Sequence, residues 1–318
     1  MDKYLEKAAD ARVLVVGDAM LDRYWFGDVN RISPEAPVPV LAISDSEERA
    51  GGAANVACNI SALGAHCDLV SVVGNDDAAH DLERLLSEKG VITDFIRDDT
   101  HVTTVKLRLL SRNQQLLRAD FEQQPGDAFI VQAMESYKKH LDNTDIVLLS
   151  DYGKGVLRDI DEMIRVAVDK GLKVLVDPKG RNFSRYSGAT MITPNRHEFE
   201  DVVGPCPSLE NMASKAAELL QEIEVKYLLI TLSEKGMALF NKDGLVFHQK
   251  ARAREVFDVS GAGDTVIGTV AAMLATGASY PDAVHIANAA AAIVVGKLGV
   301  ATASVNEIMI EIGQEEIA

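Results

Sequence analysis

The chain has 318 residues, 47% of them hydrophobic and 25% charged, with a formal net charge of −16. That is enough apolar material for a full core, and so large a negative excess repels nucleic-acid backbones and anionic headgroups, which sets aside nucleic-acid and membrane binding. Cys58, Cys67 and Cys206 form no C-x-x-C pair, the stretch 1–11 lacks the apolar run of a signal peptide, and the longest apolar stretches are too short to cross a bilayer, so a cytoplasmic protein is expected.

From the N-terminus, Arg12-Val-Leu-Val-Val-Gly17 reads as a buried parallel strand. Ligands of open α/β sheets bind beyond the carboxyl ends of strands. Asp18 and Asp22 stand there, as carboxylates suited to vicinal sugar hydroxyls; helix capping by Asp18 is the plain alternative. The segment 24–43, rich in Pro and β-formers, breaks the pattern. In Gly51-Gly-Ala-Ala-Asn-Val-Ala57, Gly51 and Gly52 let the backbone approach a ligand closely. Asn55, one turn into the helix, both donates and accepts; a simple turn is the alternative. A strand at 69–73 and a helix at 77–89, stopped by Gly90, follow. The segment 103–121 reads as two strands joined around 112–114. It carries Lys106, Arg108, Arg112 and Arg118, a basic cluster that in so acidic a chain suits a substrate phosphate, or else protects an edge. With 24–43 it is read as a small antiparallel sheet standing off the main one, a lid or a docking face.

Helices at 127–141, 159–170 and 209–223 alternate with strands at 146–149, 173–176, 189–192 and 227–231, the pattern of a mainly parallel sheet covered on both faces. Lys179 in Asp177-Pro-Lys-Gly180, and Thr231, Ser233 and Gly236 in Thr231-Leu-Ser-Glu-Lys-Gly236, follow strands and are placed to touch nucleotide phosphates. Asn195-Arg-His-Glu198 sets an amide and a carboxylate on one helical face, able to steer a hard Mg²⁺. The same spacing is that of a capping box, and His197 reads as solvated. In Asp258-Val-Ser-Gly-Ala-Gly-Asp264 a glycine-rich turn opens into an apolar helix. Its first amides and the helix dipole make an anion hole beside the Asp264 carboxylate, which suits phosphoryl transfer; an Asp serving only the helix start is the alternative. Neither G-x-x-x-x-G-K-[ST] nor G-x-G-x-x-G occurs, so P-loop and Rossmann readings fail.

In this order and spacing the segments closely resemble the ribokinase-like carbohydrate kinases over nearly the whole chain. Gly51–Asn55 is similar to that family's N-terminal signature, Asn195–Glu198 to its metal-steering motif, and Asp258–Asp264 to its C-terminal signature, with Val259-Ser260 as a departure. The resemblance implies one ribokinase-like α/β domain over 1–318, with lid segments at 22–48 and 101–121, using ATP and Mg²⁺. Asp264 is expected as the base, with Gly261, Ala262 and Gly263 as the anion hole. Asn195, Arg196, His197, Glu198, Lys179, Thr231, Ser233, Gly236 and Asn288 are expected at the nucleotide, Glu198 meeting the metal through water. Asp18, Asp22, Gly51, Gly52 and Asn55 are expected at the sugar, and Lys106, Arg108, Arg112 and Arg118 at its phosphate, in a homodimer joined through the lid. Within the family, Gly17–Trp25, Arg31–Val40, Leu109–Gln115 and Val294–Gly299 are most similar to the branch that phosphorylates D-glycero-β-D-manno-heptose 7-phosphate at its anomeric hydroxyl, on the route to ADP-heptose and lipopolysaccharide. The H-x-G-H motif of the nucleotidyltransferase domain that many of that branch carry does not occur. The rivals are another sugar or nucleoside kinase of the same fold, and a sugar sensor without chemistry.

Overall fold

The computed structural model describes residues 1–112, 114–252, 256–297 and 299–315. In chain order the elements are α1 (Asp2–Glu6), β1 (Arg12–Gly17), β2 (Ala19–Ile32), β3 (Pro39–Gly52), α2 (Ala53–Ala62), β4 (His66–Gly74), α3 (Asp77–Glu88), β5 (Ile92–Asp98), β6 (Val105–Ser111) and β7 (Gln114–Phe121). They continue with α4 (Asp127–His140), β8 (Ile146–Ser150), α5 (Ile160–Asp169), β9 (Lys173–Asp177), β10 (Met191–Ile192), α6 (Arg196–Val203), α7 (Leu209–Glu222), β11 (Tyr227–Thr231), β12 (Met237–Asn241), β13 (Gly244–Gln249), α8 (Ala262–Ala275), α9 (Tyr280–Val295) and α10 (Val305–Glu315).

The large sheet has nine strands in the order β13-β12-β11-β10-β9-β8-β1-β4-β5, parallel from β5 to β11 and antiparallel over the last two. Its central strands are apolar on both sides because both faces are covered. Along β1, Val13 and Val15 enter one core with α2, α8 and α9, while Leu14 and Val16 enter the other with α4, α5 and α7. Helix α8 is buried from Asp264 to Leu274, as an apolar helix walled by α2, α9 and the sheet must be.

The second sheet has the order β3-β2-β6-β7. It consists of two antiparallel hairpins joined edge to edge by a parallel β2–β6 pair. The first hairpin is longer than 24–43: β2 starts one residue after β1 ends, and β3 runs to Gly52, directly against α2. Asp18 is that single intervening residue, so it caps no helix.

The crossing from β5 to β6 is pinned at its middle. Asp76 caps α3 by accepting from the Ala79 N–H (2.9 Å), and also accepts from the Thr103 N–H (2.9 Å) and hydroxyl (2.7 Å). Burial works against the Asp76 carboxylate, but these bonds outweigh it and hold its pKa below the usual value. Asp76→Ala is therefore expected to lower stability at neutral pH by about 1–3 kcal/mol in urea unfolding. A group whose folded pKa is depressed stabilises above its unfolded pKa and loses that contribution as pH falls. The gap between wild type and variant should accordingly narrow on acidification below the usual carboxylate range. A gap independent of pH would assign the loss to packing instead.

Candidate active site

The carboxyl ends of β1, β8, β9 and β11 and the N-terminus of α8 converge on one region. At its centre, Asp264 occupies the first turn of α8 and is 5% exposed. One of its oxygens accepts from the Asn55 side-chain amide (2.7 Å), the other from the Tyr152 hydroxyl (2.5 Å). Asn55 is itself steadied by Asn59, whose side-chain amide donates to the Asn55 carbonyl (2.9 Å). Burial raises the Asp264 pKa to about 6; the Tyr152 and Asn55 hydrogen bonds pull it down, and Asp22 nearby adds to the rise.

Gly261 precedes α8 with φ +77°, and a Cβ there would sit 2.7 Å from the Asn55 side-chain nitrogen, so both the turn and the close approach require glycine. The Ala262 N–H turns back to the Val259 carbonyl (3.2 Å) and the Thr265 N–H to that of Gly261 (3.0 Å). Among the described residues no backbone acceptor takes the Gly263 and Asp264 amides, and the space where a Gly263 side chain would lie is open. Two amides at a helix N-terminus beside a carboxylate can hold a phosphoryl group next to a base. Asp258 ties this loop down, accepting from the Ser260 (2.9 Å) and Gly299 (3.1 Å) amides.

Several expected sugar contacts serve other purposes. Asp18 is 2% exposed, and its oxygens accept from the backbone amides of Tyr152 (2.9 Å), Lys154 (2.9 Å) and Val156 (3.1 Å). These bonds wind the loop after β8 around it. Asn55 lies in the site, but its amide is committed to Asp264. Asp22 is buried and bonded to Arg108 (2.6 Å). Gly51 and Gly52, at the end of β3, leave room for Asp22 and for Met20 respectively, which a Cβ would strike.

The lid's basic residues divide. Lys106, Arg108 and Arg118 share the face that carries Asp22 and Tyr24. Arg118 folds onto Asp120 in a two-pronged pair (2.8 and 3.0 Å) and is largely exposed. Arg112 lies at the far tip of the β6–β7 hairpin with φ +49° and is exposed, away from that face. Lys106 has no ion pair among the described residues, and burial lowers its pKa. Arg49, opposite Asp22 on β3, was not anticipated. It and Arg108 lie 5.0 Å from the Tyr24 ring on the same face.

On the other side, Asn195 and Glu198 close a capping box: the Asn195 side chain accepts from the Glu198 amide (2.9 Å) and Glu198 from the Asn195 amide (3.0 Å). The second Glu198 oxygen is 3.4 Å from the Lys179 ammonium. Arg196 donates to Glu200 (2.8 Å) and to the Cys206 carbonyl (2.8 Å), and His197 projects into solvent. Thr231 pairs with Asn195 as an isolated bridge. Ser233 and Gly236 form the turn beyond it, closed by the Leu232 N–H on the Gly236 carbonyl (2.7 Å). Asn288 is buried and donates to the Lys250 carbonyl (2.9 Å). A cavity of about 420 Å³ adjoins this turn, lined by Arg196, Leu209, Met212, Leu232, Lys235 and Lys250 among others.

Two further residues were missed as actors. Tyr152 lies two residues beyond the end of β8, at the carboxyl edge of the sheet, and that position was its signal. Asp177 ends β9; burial, then Asp264 and Glu198, push its pKa well above the carboxylate range.

Comparison with known proteins fits this geometry. Residues 10–307 match the pfkB family carbohydrate kinases. The chain is 51% identical to the D-beta-D-heptose 7-phosphate kinase of Bordetella bronchiseptica, over 97% of this chain and 98% of that one. It is 50% identical to the bifunctional protein HldE of Histophilus somni over 94% of this chain, spanning 63% of that relative's length. Among solved structures it superimposes on Arabidopsis thaliana ribokinase complexed with ribose and ATP (TM-score 0.74, 21% identity, 95% of this chain and 98% of that one). It also superimposes on Escherichia coli phosphofructokinase-2 in complex with potassium (TM-score 0.79, 18% identity, 96% and 99%). The open α/β sheet, the buried carboxylate at a helix N-terminus and the match over 10–307 place the chain in one family: it belongs to the pfkB family carbohydrate kinases.

Proposed function

We propose that this chain transfers the γ-phosphoryl group of ATP to the anomeric hydroxyl of D-glycero-β-D-manno-heptose 7-phosphate, giving the 1,7-bisphosphate, as a cytoplasmic step toward ADP-heptose. The observation that carries the chemistry is the buried Asp264 beside the two uncommitted amides at the start of α8. The substrate class rests on the 51% identity to a kinase named for heptose 7-phosphate.

In this reading Asp264 takes the proton of the attacking hydroxyl while the Gly263 and Asp264 amides hold the transferring oxygens. The triphosphate lies along the carboxyl edge toward Thr231, Ser233 and Gly236. Among the described residues no cluster of three acidic, His or Cys groups encloses an ion. Glu198, whose outer oxygen lies 3.4 Å from the Lys179 ammonium, instead fits a Mg²⁺ that arrives on ATP and keeps its waters. Such an ion supplies charge neutralisation on the phosphates. Lys106, on the Asp22 face of the lid and without an ion pair among the described residues, is the first choice for the 7-phosphate, with Arg108 and Arg49 behind it. The lid exposes Ile32, Ile43, Leu117 and Phe121, and a second copy of the chain is the proposed cover.

With Mg²⁺ and ATP, heptose 7-phosphate is expected to be turned over, and free heptose, ribose and fructose 6-phosphate poorly or not at all. Equal turnover of an unphosphorylated sugar would reassign the substrate. Lys106→Met should raise KM for the phosphosugar by about 10–100-fold, the worth of a charge-assisted contact, with KM for ATP unchanged; an unchanged phosphosugar KM would remove Lys106 from the site. Sedimentation at micromolar concentration should give a dimer, and a monomer would contradict the lid pairing. Because the base must be ionised, kcat/KM should fall on the acid side with an apparent pKa of about 6. A limb at the ordinary carboxylate position would show that Asp264 is not the group being titrated.

A further inference from the structure

The loop after β8 has an unusual internal order. The amides of Tyr152, Lys154 and Val156, every second residue, all point at the Asp18 carboxylate. Gly153 (φ +71°) and Gly155 (φ +108°) supply the left-handed steps that let the chain coil this tightly, and at Gly155 a side chain would be strained. Asp18 is in turn fixed in the one-residue link between the two sheets. Tyr152 is therefore held from its backbone outward, and its hydroxyl meets Asp264 at 2.5 Å, opposite the Asn55 amide at 2.7 Å. The carboxylate is gripped on both oxygens by donors from two different elements.

We propose that Tyr152 is a positioning residue for phosphoryl transfer: its phenol O–H, anchored through the loop wound on Asp18, fixes the orientation of the Asp264 carboxylate and favours its ionised form. The inference rests on the reading of Asp264 as base. The charged or titratable groups around Asp264 are Asp22 from β2, which carries Arg108 with it, Asp177 from β9, and Tyr152 itself. Asp22 disfavours a second anion beside it, so the phenol and the Asn55 amide are what stabilise the ionised Asp264. Burial, and then Asp264, raise the phenol's own pKa well above its ordinary value, so it stays a donor across the working range. In the step itself the sugar O–H proton passes to Asp264, the sugar oxygen bonds to the γ-phosphorus, and the bond from that phosphorus to the β-phosphate bridging oxygen breaks with its electron pair leaving on ADP. Tyr152 keeps its proton throughout.

The test combines kinetics with pH. Tyr152→Phe is expected to lower kcat by about tenfold or more, with KM for ATP unchanged. The acid limb of kcat/KM should move up by about one pH unit. Replacing Tyr152 with 3,5-difluorotyrosine keeps the shape and strengthens the donor, so the limb should move down; this decides the matter if the Phe variant folds poorly. A merely structural Tyr152 leaves the limb in place in both variants, which overturns the inference. Asp264→Asn in parallel separates the two levels. If it retains the rate, the base reading fails. If it abolishes the rate while the Tyr152 variants leave the limb unmoved, only the positioning role fails.

Discussion

A carboxylate held out of water at the start of a helix is the constraint on which the site depends. Burying the Asp264 anion is costly unless donors are built around it. The fold supplies them from distant parts of the chain: Asn55 from α2, Tyr152 from the loop after β8, and the α8 N-terminus itself. Each needs its own support. Asn59 braces Asn55 and also accepts from the Thr265 hydroxyl (2.9 Å), so α2 and α8 are locked side by side. Asp18 braces the Tyr152 loop. What remains after this compensation is a carboxylate whose pKa burial still raises to about 6, which suits the proposed role of base.

The four-stranded sheet solves a different problem. The chain is strongly acidic, and its catalytic region holds Asp264, Asp22, Asp177 and Glu198, whereas both substrates in the proposed reaction are anions. The lid brings cations to that side without leaving them loose. Arg108 is paired with Asp22, Arg49 with Glu47 (2.6 Å) and Arg118 with Asp120, and Lys154 is paired with Glu122 at the lid's base. Lys106 lies among them with no ion pair among the described residues, where burial already disfavours its charge. A phosphate placed there would restore what burial takes away. Asp18 joins β1 to the lid, β3 runs directly into α2, and 99–104 joins β5 to β6, so the lid is tied to the core at several points.

The alternation of strands and helices was legible because each element carries its own period: β1 is apolar from Val13 to Val16, and 77–88 repeats at helical spacing and stops before Gly90. The glycine-led start of α8 was legible for the same local reason. What sequence could not carry was pairing across distance. Asp18 was legible as a carboxylate at a strand end, but its three backbone-amide partners lie more than a hundred residues away, and amides leave no mark in the residue types. Tyr152 carried no signal of a partner in the sequence, and only the fold brings its hydroxyl to Asp264. Arg112 and Arg118 shared parity with Lys106 on paper, but the turn and a bulge within β6–β7 separate Arg112 from the face, and Asp120 claims Arg118. Asn195-x-x-Glu198 was open to two readings, and its own backbone satisfies the capping one without preventing Glu198's second oxygen from facing Lys179.

The most direct test of the central claim is a rapid-quench, single-turnover measurement with ATP and heptose 7-phosphate both saturating, comparing wild type with Asp264→Asn. The substitution keeps the size of the side chain and removes its basicity. The transfer rate should fall by about 10²–10⁴-fold, the usual worth of a general base, while ATP affinity measured separately stays the same. A transfer rate within a few-fold of wild type would show that Asp264 accepts no proton, and that its burial, its donors and its position at the α8 N-terminus serve the fold alone.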